Sequence, residues 1–148
     1  MIIKDESKLR QPCISRPLDE SMQVGLRLLD EVVKHAAIGL AANQIGEDAR
    51  VFVLLNSNTK KWEMFIDPEV ISYGVPITFE GEGCLSFPNQ FVTTTRHVAV
   101  IVKDALDPTP RRLDGINAIC FQHELDHLDG IVMFDHIVEP EMITEGKK

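Results

Sequence analysis

A chain of 148 residues is the length of one domain, and 44% apolar with 26% charged residues is a globular balance that excludes a collagen, a coiled-coil rod and a disordered tail. Fifteen basic against 23 acidic residues give a net charge of −8, and with only the isolated pairs Lys60–Lys61 and Arg111–Arg112 in the body and no larger basic patch, no direct nucleic-acid binding is expected. Three cysteines, at 13, 84 and 120, cannot all pair within the chain, Met1–Arg10 has no apolar core of signal-peptide length, and the longest apolar runs, Val51–Leu55 and Val98–Val102, fall far short of the ~18–20 residues that cross a bilayer. A reducing, cytoplasmic setting with no membrane partner is therefore expected.

No repeat or linker divides the sequence, so residues 1–148 read as a single domain. From Asp19, a plausible N-cap, the apolar residues Met22, Leu26, Leu29, Val33 and Ala37 recur at steps of three and four, which predicts an amphipathic helix ending before Gly39. Between Arg50 and Lys103 the runs become β-branched and aromatic, predicting strands at Arg50–Leu55, Lys61–Ile66, Glu69–Ser72, Ile77–Phe79 and Val98–Lys103. The segment Asn56–Lys60 has the composition of a hairpin connection, so the first two of these strands are expected to be antiparallel neighbours. A second helix can start at Asp114 and end near Gly130, carrying Ile116, Ile119, Cys120, His123 and His127 on one side. The order helix, strands, helix predicts an α+β fold, with mainly antiparallel strands around that second helix and one helix near the N-terminus.

The sequence Gln122-His123-Glu124-Leu125-Asp126-His127 places two imidazoles one helical turn apart on the same face, where both can grip one ion. Glu124 lies beside them, able to reach a water on that ion without being a ligand, as a general base must. With five His and twelve Glu in the chain, His-Glu-x-x-His arises by chance about once in a hundred such sequences, and two hydrogen-bonded core histidines would look the same. A catalytic ion usually takes a third protein ligand. The third histidine of one zinc-protease pattern falls on Met133, a thioether unfit for the task, and a downstream glutamate would have to come from Glu139, Glu141 or Glu145 in a short tail. Cysteine serves better: Gly81-Glu82-Gly83-Cys84-Leu85-Ser86-Phe87-Pro88 sets Cys84 among glycines that allow close backbone approach, with the Leu85 N–H free to point inward. A rival reading adds Cys120 to Cys84, His123 and His127, closing a structural Cys₂His₂ zinc cage with no water. A third segment, Gly39-Leu40-Ala41-Ala42-Asn43-Gln44, taken alone would pass as a packing loop with a surface glutamine.

In order, Gly39–Gln44, Glu82–Ser86 and Gln122–His127 resemble the three signatures of peptide deformylase, and the likeness spans most of the chain. The resemblance implies that Cys84, His123 and His127 bind one divalent ion, iron(II) in the cell with zinc, nickel or cobalt as alternatives. It further implies that Glu124 is the acid and base, and that Gln44 with the Leu85 N–H stabilises the oxyanion. Its substrate would be the N-formyl-methionine end of new polypeptides, met in transient proximity to the ribosome, with Gly39 and Gly83 giving backbone contacts and Ile38, Ile119 and Cys120 lining the methionine pocket. The resemblance also suggests a Glu82–Arg96 charge pair of surface strength and a role for Asp126 in orienting a ligand histidine. Departures from the family pattern are Ala37 where glycine is usual, Asn43 where proline or threonine is commoner, and Asp107–Pro108 in the turn before the second helix. An Ala37 held at positive φ would be strained. With 148 residues in all, the sequence resembles the compact forms known from some phages, which lack a long C-terminal extension.

Overall fold

Helix α2 (Leu18–Val32), which follows the single turn α1 (Glu6–Leu9), buries Val24, Leu28 and Val32 together with Ser21 and Gly25. The buried stripe is therefore rotated from the expected one: Leu26 and Val33 are exposed, and Met22, Leu29 and Ala37 are only partly covered. Pro17 rather than Asp19 occupies the N-cap, which suits a residue whose fixed φ leads into a helix. The helix gives way to a 3₁₀ turn at Val33–His35, and Ala36, not Ala37, takes the left-handed conformation there. The expected strain thus falls one residue earlier. The computed structural model describes residues 1–138, so Glu139, Glu141 and Glu145 lie outside the described residues.

Among the described residues the strands form three antiparallel sheets. In the first, β1 (Gly39–Ala41), β2 (Val51–Leu55) and β3 (Trp62–Ile66) lie in that order, and the β2–β3 hairpin closes through the Asn56 side chain, which accepts the N–H groups of Asn58 and Thr59. This is the connection that the composition of Asn56–Lys60 predicted. In the second, β4 (Glu69–Tyr73), β7 (Ala99–Lys103) and β8 (Arg111–Asp114) pair in the order β4-β7-β8. The third is the long hairpin of β5 (Pro76–Cys84) and β6 (Phe87–His97). Only Ile77–Phe79 of it was expected. The glycines of Gly81–Pro88 give no strand signal, and Asn89–Thr95 is too polar for one; the glycines and polar side chains are held in register by ladder bonds instead.

Helix α3 (Gly115–Leu128) starts after Asp114 and is followed by Gly130 at φ +75, as the sequence implied. Most of its sides are covered, which makes it the central element, and it is not a simple amphipathic helix. Phe121 meets Phe52 of β2 and Phe65 of β3 with all three ring centroids 5.1 Å apart, two of the pairs edge-on, as ring quadrupoles prefer. That aromatic contact sets the distance between the first sheet and the helix. Phe121→Ala is expected to lower the unfolding free energy by about 3–5 kcal/mol, measured by urea denaturation, and a loss below about 1 kcal/mol would show that the helix is anchored elsewhere.

Candidate metal centre

Successive turns of α3 present His123 and His127 to the end of β5, where Cys84 sits. One ligand atom from each of Cys84, His123 and His127 lies within 4.8 Å of the others, and the two imidazole rings are 5.0 Å apart. His127 Nε2 is 3.4 Å from Cys84 Sγ, and burial together with the charges of His123 and Arg96 holds this imidazole well below its ordinary pKa, in the neutral form that ligates. A soft thiolate donor with two imidazoles fits a divalent transition metal. Cys120 is not part of that group among the described residues; burial pushes its thiol up to about 12, so it stays protonated. The four-ligand cage therefore lacks its fourth member.

Glu82 fixes the histidine that stands nearest to it. Its Oε2 lies 2.5 Å from His123 Nδ1, leaving the ring's Nε2 for an ion, the carboxylate–histidine arrangement that orients metal ligands. The same carboxylate takes a two-pronged contact from Arg96, 3.0 Å from Nε and 2.6 Å from Nη2, and a 2.7 Å hydrogen bond from Thr94 Oγ1. Glu82 and Arg96 are both buried, so the pair is not the surface contact expected from the sequence. Asp126 differs as well: it accepts from Arg96 Nη1 at 2.6 Å and faces His136 at 2.9 Å, and among the described residues it bonds neither His123 nor His127. Burial alone would raise Glu82 and depress His123, but the bonds from His123 and Arg96 hold the Glu82 carboxyl far below its usual range. Those from Cys84 and Glu82 hold His123 well above its own.

Glu124 is buried, its Oε1 has no hydrogen-bond partner among the described residues, and desolvation raises its carboxyl to about 7. Gly39 makes room for it: a Cβ there would stand 2.6 Å from Glu124 Oε2. Gln44 is buried, not a surface residue. Its Oε1 accepts from the Ala41 N–H at 3.0 Å, which turns Nε2 toward Cys84 Sγ at 3.4 Å and Ser86 Oγ at 3.1 Å. The Leu85 N–H donates to no acceptor among the described residues. Beside Gln44, Asn43 sends its Nδ2 to the carbonyls of His127 at 2.6 Å and Leu9 at 3.3 Å, contacts that proline could not make.

A cavity of about 530 Å³ opens over this centre, lined among others by Ile38, Gly39, Gln44, Gly83, Cys84, Leu85, Ile119, Cys120, His123 and Glu124. Of the residues given metal, catalytic or substrate-contact roles from the sequence, His127 alone is absent from the wall, being fully buried. Ser86, Thr94 and Phe91 went without a role in the sequence reading. Ser86 sat inside a recognised box, whereas the other two lie on the strand that its polar composition concealed.

A thiol and two imidazoles around one point, beside a buried carboxyl on an α+β scaffold, define the class of metal-dependent hydrolases. The family described as Polypeptide deformylase matches residues 2–142. A peptide deformylase of Brucella suis is 33% identical over 93% of this chain and 83% of the relative. The crystal structure of peptide deformylase from Thermotoga maritima superposes with a TM-score of 0.82 at 28% identity, covering 94% of this chain and 97% of that one. That of a probable peptide deformylase from Synechococcus phage S-SSM7 gives 0.82 at 27% identity, covering 93% and 99%. The chain belongs to the peptide deformylase family, whose members remove the N-formyl group from nascent polypeptides.

The ionised state of Glu82 links this centre to folding. Folding depresses its pKa below the ordinary 4.5, so its contribution is complete above pH 4.5 and is lost as acid protonates it toward its lowered folded value. Glu82→Gln, which removes the buried carboxylate from Arg96 and His123 and leaves Arg96 with Asp126 alone, is expected to cost about 3–5 kcal/mol near pH 7. The gap between the urea midpoints of wild type and variant should narrow as pH falls below 4.5; a gap independent of pH would contradict the assignment.

Proposed function

We propose that Cys84, His123 and His127 hold one divalent ion, iron(II) in the cell with zinc, nickel and cobalt able to replace it, and that the centre hydrolyses N-formyl-methionyl peptides to formate and a free amine. The observation that carries this reading is the convergence of the three donor atoms within 4.8 Å beside the partnerless Oε1 of Glu124. When bound, such an ion acidifies a water and polarises the formyl oxygen.

Glu124 takes the proton of the attacking water as the new C–O bond forms, and returns it to the nitrogen as the C–N bond breaks. A carboxyl raised to about 7 suits both halves of that exchange near neutral pH. Gln44 Nε2, held in place by the Ala41 N–H on its amide oxygen, and the Leu85 N–H supply donors for the developing oxyanion. Among the described residues β1 pairs only with β2 and β5 only with β6, which leaves each an unpaired edge there; Gly39 on one and Gly83 on the other line the cavity. An extended peptide adds to such edges through main-chain bonds. Its methionine side chain enters among Ile38, Ile119 and Cys120. The net charge of −8 argues against direct nucleic-acid contact, and a nascent-chain substrate suits the cytoplasm of a bacterial or phage-infected cell, or an organelle of bacterial descent, with passing proximity to the ribosome.

With metal content measured beforehand, Glu124→Gln is expected to keep the ion and lose formate release from formyl-Met-Ala-Ser by about 10²–10⁴-fold. Gln44→Ala should lose about 100–1000-fold in kcat with a smaller change in KM. Undiminished turnover in metal-loaded Glu124→Gln would overturn the mechanism.

A further inference from the structure

Phe91 stands out on the surface of β6. Its side chain is 70% exposed, yet it forms part of the cavity wall rather than a remote patch. The ring lies so close along β5 that a Cβ on Gly83 would come within 2.7 Å of Phe91 Cε1. Because Gly83 is also where a substrate main chain would run, the absent side chain lets the phenyl ring and the peptide backbone share one narrow position. Across the mouth stand Ile38 and Ile116, both substantially exposed, and Phe79 completes the wall on β5.

A cavity of about 530 Å³ is far larger than one methionine side chain fills, and sites of this size enclose ligands of several residues' bulk. In an extended peptide, successive side chains point to opposite sides. With the methionine directed toward Ile119 and Cys120, the next two residues leave through the apolar mouth. We propose that Phe91 is a specificity-determining residue, a platform for an apolar or aromatic side chain at the second or third position of the formyl-methionyl peptide. The substrates favoured are thus nascent chains that are apolar directly after their first residue. This inference rests on the deformylase reading and adds to it a choice among substrates.

The test compares kcat/KM for formyl-Met-Ala-Ala, formyl-Met-Phe-Ala and formyl-Met-Ala-Phe, with lysine and aspartate versions of the latter two, in wild type, Phe91→Trp and Phe91→Ala. One phenylalanine peptide is expected to exceed the all-alanine peptide by about 2–10-fold in wild type, the range of a single aromatic contact. Charged residues at the same position should fall below alanine. Phe91→Trp should keep the ratio, and Phe91→Ala should bring it close to one; because the ratio is taken within each protein, a general loss of stability cancels. Equal turnover of the alanine and phenylalanine peptides in wild type, or a preference that survives Phe91→Ala, overturns the proposal. Release of formate from none of the peptides would instead remove the hydrolase reading beneath it.

Discussion

The buried carboxylate of Glu82 is the constraint on which the centre depends. It joins the β5–β6 hairpin to a helix distant in the chain: its own strand β5 ends in Cys84, Arg96 lies on β6, and His123 lies on α3. A buried ion pair is costly to assemble, since both charges lose water, and is retained only where geometry and additional hydrogen bonds repay that loss. Here every contact to Glu82 is charged or hydrogen bonded, and Arg96 spends its remaining nitrogen on Asp126, one residue before His127. The same network that orients one imidazole therefore also ties the hairpin to the helix between the two histidines. Position of the sulfur and position of the rings become one property.

Against this satisfied network stand polar atoms that the fold leaves unanswered. Glu124 Oε1 and His127 Nδ1 are buried without partners among the described residues. Burying such groups costs free energy that a core built only for stability would avoid. Their cost is concentrated where a proton has to be held and released, and the aromatic packing of Phe121, one turn before Glu124 on α3 and against the same sheet, offsets it.

Much of the site was legible in the sequence because helical periodicity is rigid: once His123, Glu124 and His127 lie on one helix, their relative directions follow. Cys84 could be singled out through its setting among glycines, and the Asn56–Lys60 hairpin through its turn chemistry. What escaped notice depends on tertiary context. The buried face of α2 was misplaced because Leu26 and Val33 match the helical period as well as Val24 and Leu28 do, and only the packing against β2 and β3 decides between them. Strand β6 was hidden because Thr94 and Arg96 are buried by partners rather than by their own hydrophobicity. The strength of the Glu82–Arg96 pair was understated for the same reason, since burial cannot be read from two charges in a sequence.

X-ray absorption at the edge of the bound metal reads the ligand set directly. With zinc bound, one sulfur at about 2.3 Å and two imidazole nitrogens at about 2.0–2.1 Å are expected, any remaining neighbours being oxygen. A shell without sulfur, or one with two sulfurs, would contradict that set: the first would exclude Cys84 as a ligand, and the second would bring Cys120 into a closed cage.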